Sequence, residues 1–378
     1  MKNQFLIVFL FLAVQLVFLS CEQDADLSTV DGISSAINSL PEQVTYPANN
    51  PYSEEKAALG RLLFWDPILS GNKDIACVSC HHPDFGYADG LKVSLGVGGN
   101  GLGPNRRNGI QIARNSPTII NTAFNGIDNN GNYAALNAPM FWDNRANSLE
   151  EQALQPMLSK EEMRGTTIAE TDIMEVIVQR LNSIPEYKVK FKAAFGEETI
   201  NQDLILKAIA TFERGIVANN SRFDQYMRGN TNILSSREIE GMQRFVEVGC
   251  ADCHSGPMFS DFELHTIGIP NKNNDEGANG RFDFRTPTLR NLGTTGPYMH
   301  NGLFSSLEDV VDFYEDLSDG RRIDNNNQNL DEEIRDLEIR GRDVDEIVAF
   351  LSTLNDLDFD STTPDSVPSG LTVGGNID

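Results

Sequence analysis

Apolar positions along the chain recur mainly with helical spacing. The clearest case lies near the C-terminus, where Val344, Ile347, Val348, Leu351 and Leu354 form a stripe at i, i+3, i+4, i+7 and i+10. Ser53 offers an N-cap to an earlier helix carrying Ala57, Leu59, Leu62 and Leu63, and Pro67 ends it. Further helical patterns run over 149–154, 173–181, 204–216 and 236–246. Few runs alternate with a period of two. Between the helices lie stretches without period: a Gly- and Asn-rich loop over 86–109, and a loop-rich region after Val246 that reaches Met299. The predicted class is mostly α, with loops of the length that usually carries function.

The two ends read differently from the middle. Phe5 to Leu19 is an apolar run broken only by Gln15 and preceded by Lys2. It is too short for a comfortable membrane span and has the length of a signal-peptide core. Ser20-Cys21 follows at once, which resembles a bacterial lipoprotein signal and implies cleavage before Cys21 and acylation of its thiol. The chain is expected at the periplasmic face of a bacterial membrane, held only by that lipid. Residues 22–50 are small and polar and read as a flexible tether, and 361–378 as a flexible tail. Two domains are expected between them, 51–220 and 221–360.

Composition narrows the function. Thirty Lys and Arg stand against 55 Asp and Glu, a net charge of −25, which repels phosphate backbones and excludes a general nucleic-acid binder. The same charge suits a basic protein partner. Five cysteines are too few for a disulfide-dense scaffold.

Four of the five form two motifs, Cys77-Val78-Ser79-Cys80-His81 and Cys250-Ala251-Asp252-Cys253-His254. C-x-x-C-H is the attachment signature of c-type haem, in which both thiols add to the porphyrin and the adjacent His takes an axial position on the iron. A dithiol redox pair would leave both following His residues unexplained. A Cys₄ zinc site built from the two halves is compatible with the spacing, but an exported chain favours haem. The motifs stand far apart, so each is expected to have its own domain.

The histidines discriminate between the two irons. There are five: His81, His82, His254, His265 and His300. His81 and His254 are the motif ligands, and no other His lies between His82 and His254. The loop over 86–109 therefore offers none to the first haem, and His82 is too near His81 to reach the opposite face. An iron with one protein ligand is open to peroxide, so the first haem is the candidate reactive site.

The chain resembles the bacterial di-haem cytochrome c peroxidase and MauG family along roughly Tyr52 to Leu354. The segments that carry the resemblance are Leu59-Gly60 through Phe64, CVSCH, ARNSPT at 113–118, FWDNRANSLEEQA at 141–153, Glu162-Met163, CADCH, FRTPTLRN at 284–291, GPYMH at 296–300 and SLEDVVDFY at 306–314. The resemblance implies two cytochrome c-like haem domains, the first peroxidatic and the second passing electrons to it. Trp142 matches a Trp between the haems. Gln152, Pro156 and Glu162 match residues on the distal side of the peroxidatic haem, where a carboxylate can do acid–base work. Asn115, Thr295 and Pro297 match an inter-haem calcium site, whose oxygen ligands suit that cation.

Two positions depart from the reductively activated peroxidases. The loop His that caps their resting first haem has no counterpart. The usual Met ligand of the second haem is replaced by Tyr314, as in MauG, which implies a low-potential second haem and no need for prior activation. Read without the resemblance, Tyr314 is a buried helix position, and Met299 and Met258 compete with it as ligands. The expected activity is reduction of H2O2 to water with electrons from a small c-type cytochrome, by a chain whose relatives are often homodimers. The alternatives are a MauG-like high-valent di-haem oxidase of a protein or organic substrate, and a non-catalytic electron-transfer lipoprotein.

Overall fold

The computed structural model describes residues 33, 35–270, 275–320 and 330–377. The signal segment and Cys21 lie outside them. The first half holds α1 (Glu54–Trp65), α2 (Leu149–Leu158), α3 (Ile173–Asn182), α4 (Pro185–Phe195) and α5 (Gln202–Arg214). The second holds α6 (Arg222–Met227), α7 (Ser236–Glu247), α8 (Cys250–Cys253), α9 (Leu307–Ser318), α10 (Glu332–Arg335) and α11 (Gly341–Ser352). Among the described residues, strands are confined to two short antiparallel pairs. β1 (Gly99–Asn100) meets β2 (Arg107–Asn108), and β3 (Leu264–His265) meets β4 (Phe284–Arg285) with Leu264 opposite Arg285. The mostly α class is as expected.

Local chemistry explains the helix ends. Ser53 Oγ accepts from the Lys56 backbone N at 3.2 Å, and Asp66 both closes α1 and caps the turn that Pro67 begins. Helix α4 has no clear stripe, because Lys188, Lys190 and Lys192 dilute its period. Its boundaries are nonetheless written in the sequence: Pro185 sits at the first helical position, and Gly196 closes the helix in the left-handed region at φ 79°.

Each half is built on one close helix crossing. A Cβ at Gly60 of α1 would stand 2.0 Å from the Ala208 carbonyl oxygen of α5. A Cβ at Gly241 of α7 would stand 2.0 Å from the Glu346 carbonyl oxygen of α11. Around the first crossing a core collects Leu59, Leu63, Ile177, Phe191 and Ile205; around the second, Phe223, Met242, Phe245, Ile347 and Phe350. Each half also contains a bidentate ion pair with a fully buried arginine: Arg214 with Glu150 at 2.6 Å, and Arg290 with Asp224 at 2.9 and 3.0 Å.

Residues 22–32 and 34 of the expected tether lie outside the described residues; for the rest of it, and for the expected tail, the structure corrects the expectation. Within 22–50, Ile37, Leu40 and Asn50 are fully buried, and Leu40 N donates to Asp224 at 3.0 Å. Ile33 and Ile37 join the core of the second half. At the other end, Val367 is buried with Phe64, Trp65 and Val78 of the first half, while Phe359, Val373 and Ile377 pack beside them. Ser369 Oγ donates to Asp66 at 2.7 Å, Gly374 N to Trp65 O at 2.7 Å, and Asp360 pairs with Arg61. The described segment from Ile33 to Leu40 and the C-terminal segment thus each strap the half distant from them in sequence. Small polar residues disguised these straps, because their few apolar anchors show no period.

Candidate haem sites and the junction between them

Both C-x-x-C-H motifs line cavities, and their local geometry is parallel. Cys77–Ser79 forms a tight turn held by Ala76 N donating to Ser79 Oγ at 3.2 Å, and the hydroxyl in turn reaches Gly374 O of the C-terminal strap. Cys250–Cys253 forms the single turn α8. His81 Nδ1 lies 3.0 Å from the Tyr87 carbonyl and His254 Nδ1 lies 2.9 Å from the Phe259 carbonyl. A carbonyl only accepts, so both Nδ1 atoms carry the proton and both Nε2 atoms are left as ligands. Burial also lowers the pKa of each imidazole and favours its neutral form. The four thiols are free, in pairs beside these imidazoles. Two thiols and one oriented Nε2 at each cavity wall fit a covalently attached haem c, and the dithiol reading leaves both oriented imidazoles without a role.

The cavities differ. The first encloses about 560 Å³ and the second about 210 Å³. The first is lined by His81, Gln152, Pro156, Glu162 and Glu213. Met140 and Met163 also touch it, but both belong to apolar cores. His82 is directed elsewhere: its Nδ1 accepts from Asp84 N at 3.2 Å and its ring meets Trp65 edge-on.

Glu162 reaches the first cavity through a break in the helix. Pro156 sits inside α2 and has no N–H for the Gln152 carbonyl. The chain then passes Ser159 into a wide π-type turn over Lys160–Arg164, with Arg164 N donating to Ser159 O at 2.9 Å. Burial raises the Glu162 pKa, partly offset by the positive charge of Arg145.

Glu213, on the last turn of α5, is a residue that sequence reasoning missed. It is buried at 4 % exposure, its Oε2 has no hydrogen-bond partner, and burial pushes its pKa up to about 8. The charged neighbour Arg214 masks it in sequence, since Glu-Arg at a helix end reads as solvated surface.

The second cavity is lined by His254, Tyr314, Met258, Met299, His265 and His300. His265 is occupied at both nitrogens, by Asp331 at 2.8 Å and Asp261 at 2.9 Å. Met258 is core, fully buried with Phe124 and Phe262. The Tyr314 hydroxyl has no hydrogen-bond partner among the described residues, and its pKa is raised by burial and by the nearby Cys250 and Cys253. His300 is buried, stacks on Phe284 at 3.7 Å and has an unpartnered Nε2.

Trp142 lines both cavities, as do Asn115 and Arg285. Its Nε1 donates to Asn115 O at 3.0 Å, and Asn115 N donates to His300 O at 2.6 Å. Asn115 Nδ2 donates to Leu91 O at 2.7 Å, which leaves the amide oxygen uncommitted by that bond. Thr295 and Pro297 line the second cavity with Asn115. Arg114 closes the same seam, bonding Asp143 at 2.7 Å from its own half and Asp275 at 2.5 and 2.9 Å from the other.

Known proteins resemble this chain over most of its length. A family model described as di-haem cytochrome c peroxidase matches residues 54–232. Methylamine utilization protein MauG of Methylorubrum extorquens is 34% identical over 325 residues, covering 83% of this chain and 82% of that protein. Cytochrome c551 peroxidase of Nitrosomonas europaea is 34% identical over 319 residues, covering 81% of this chain and 82% of its own. Among solved structures, a MauG-like protein associated with microbial copper homeostasis superposes with a TM-score of 0.69 at 29% identity, covering 84% of this chain and 95% of that one.

Proposed function

The chain belongs to the di-haem cytochrome c peroxidase family, and on that premise we propose that it reduces hydrogen peroxide to water. The electrons come from a small c-type cytochrome and enter at the second motif. The haems supply the redox chemistry: an iron accessible to peroxide at the first motif and an electron relay at the second. One observation carries the reading, the asymmetry of the two cavities. The roomier one offers a single imidazole together with the Glu162 and Glu213 carboxyl groups and the Gln152 amide, and the tighter one offers several further ligand side chains.

The protein's own residues then have distinct tasks. Glu162 takes a proton from peroxide and returns it to the departing oxygen, and its raised pKa brings it nearer the working pH for both transfers. The Gln152 amide orients peroxide beside it. Trp142 lines both cavities and offers a protein path for an electron between them. Tyr314 would be the second protein ligand of the second iron; its half-buried side chain lines that cavity, and its hydroxyl has no hydrogen-bond partner among the described residues, which supports that role. Asn115, Thr295 and Pro297 would hold a calcium ion through oxygen atoms. Export and acylation of Cys21 complete the picture; among the described residues no helix is long and apolar enough to cross a membrane.

A second reading is oxidation of a protein or organic substrate through Trp142, favoured by Tyr314 in place of Met. Mixing the ferric holoprotein with H2O2, with and without reduced cytochrome c, separates the two. Turnover of the cytochrome supports the peroxidase. A spectral response without turnover supports the oxidase, and an unchanged spectrum removes both. Tyr314→Phe is expected to change the second haem's spectrum alone; an unaltered spectrum would remove the ligand assignment.

A further inference from the structure

Glu213 lies in the last turn of α5 and lines the first cavity. It is a buried acid with an unpartnered Oε2, and the proton transfers assigned to Glu162 do not use it. Three ionisable side chains act on it: Arg214 on its own helix, Glu150 of α2, and Cys77 of the first motif. Arg214 is already committed, since both its terminal nitrogens bond Glu150 at 2.6 Å. Across α5, Arg61 of α1 pairs with Asp360. One cation therefore faces two carboxyl groups and serves Glu150. Glu213 is left without a counter-ion, and burial holds its proton on up to about 8.

The position beside Cys77 matters because of how a haem is built. Thioethers form at the vinyl edge of the porphyrin, and the two propionates project from the opposite edge. Glu213 thus stands on the side of the cavity where the thioether forms, and there the charge that changes is that of the iron. A ferric porphyrin core carries one positive charge more than a ferrous one. A positive charge near a buried acid favours its carboxylate, and a low dielectric strengthens the effect. The ferric state therefore loosens the Glu213 proton, and the ferrous state tightens it. Glu162 is less suited to this task, because the charge of Arg145 already offsets its burial.

We propose that Glu213 is the proton partner of the electron at the first haem: as the donor's electron reduces the iron, Glu213 Oε2 takes one proton from water, and it releases that proton when the iron is reoxidised. The inference rests on a haem bound at Cys77–His81 and deepens the peroxidase reading. Reduction of one H2O2 to two waters consumes two electrons and two protons. Glu162 only moves peroxide's own proton from one oxygen to the other, so the two consumed protons come from elsewhere. A carboxyl group that loads with the electron brings one of them into the cavity.

The test is a spectroelectrochemical titration of the first haem between pH 5 and 9 in the wild-type holoprotein, Glu213→Gln and Glu162→Gln. The wild-type midpoint should be level at the acid end. It should then fall on the way to pH 8 by about 59 mV for each tenfold drop in proton concentration. Glu213→Gln is fixed in the neutral form, so its midpoint should match wild type at pH 5, stay level and lie above wild type at pH 8. Its second haem should follow the wild-type profile, and Glu162→Gln should retain the slope. A first-haem slope that survives in Glu213→Gln, or disappears in Glu162→Gln, would overturn the proposal. If Glu213→Gln does not fold, reduced-minus-oxidised infrared spectra of the Glu162→Gln holoprotein, taken within the pH range of the slope, decide. A protonated carboxyl band should appear on reduction and shift in D2O; without such a band the proposal fails. Neither readout uses peroxide, so a holoprotein inert to peroxide would fail the proposed function and leave this coupling measurable. A chain with no haem at the first motif would overturn both.

Discussion

Glu162 and Glu213 are two carboxyl groups in one cavity with different surroundings. Glu162 emerges from a π-type turn beside Arg145, whereas Glu213 ends a buried helix with one oxygen unpartnered. Replacing Glu162 by Gln should reduce cytochrome-dependent peroxide turnover by about 10²–10⁴-fold while leaving the resting haem spectra in place. A loss smaller than tenfold in steady-state assays would assign the proton transfers elsewhere. Glu213 is instead predicted to show itself in stability. The folded chain keeps its proton up to about 8, while the unfolded chain releases it near the ordinary 4.5. The stabilisation is therefore complete below about 4.5 and is lost as pH rises through 8, with a slope of at most ~1.4 kcal/mol per pH unit. Glu213→Gln imitates the protonated form, so the variant should gain on wild type as pH is raised from 5 to 9. Denaturant unfolding across that range checks it, and parallel profiles would count against a buried neutral acid. Glu162 was legible through its place in a recognisable segment. Glu213 was not, because only the tertiary packing removes water from it.

Helices with a strong apolar stripe or a clear cap were legible at the scale of elements: α1, α7 and α11 lie where the pattern placed them. The terminal straps were not, since a strap is stabilised by scattered anchors on a surface formed elsewhere. The C-terminal strap makes a specific prediction. Its Gly374 carbonyl accepts from Ser79 inside the first motif, and its Val367 completes the core under that motif. Burial of such a valine alone is worth ~1.5–3 kcal/mol. Removing 361–378 should lower the melting temperature and disturb the first haem's spectrum, with the second haem unaffected. Equal perturbation of both haems, or of neither, would show that the strap does not act on the first motif. The π-type turn at 160–164 follows a similar logic, since Pro156 announces a break but the direction of the chain after it depends on packing.

For the whole molecule the governing quantities are charge and the apposition of two halves. A net charge of −25 should speed encounter with a basic cytochrome, by about 10- to 1,000-fold where steering is strong, and salt should erase the gain. Stopped-flow oxidation of reduced cytochrome c over a range of ionic strength tests this: kcat/KM should fall steeply for a basic donor and not for an acidic one. A flat dependence with both would mean that the acidic surface does not recruit the donor. The sequence by itself determined the covalent chemistry, because C-x-x-C-H needs its thiols and imidazole within one turn and so writes itself in five adjacent letters. It also determined the class of fold and, through the scarcity of histidine, which iron has fewer ligands to choose from. Only the tertiary structure decided what lies between the motifs. Trp142 and Asn115 come from one half and Arg285 from the other, and the described segments near each end cross to the half distant from them in sequence. Those contacts are fixed by burial and hydrogen bonding across long separations, for which no local period or spacing exists.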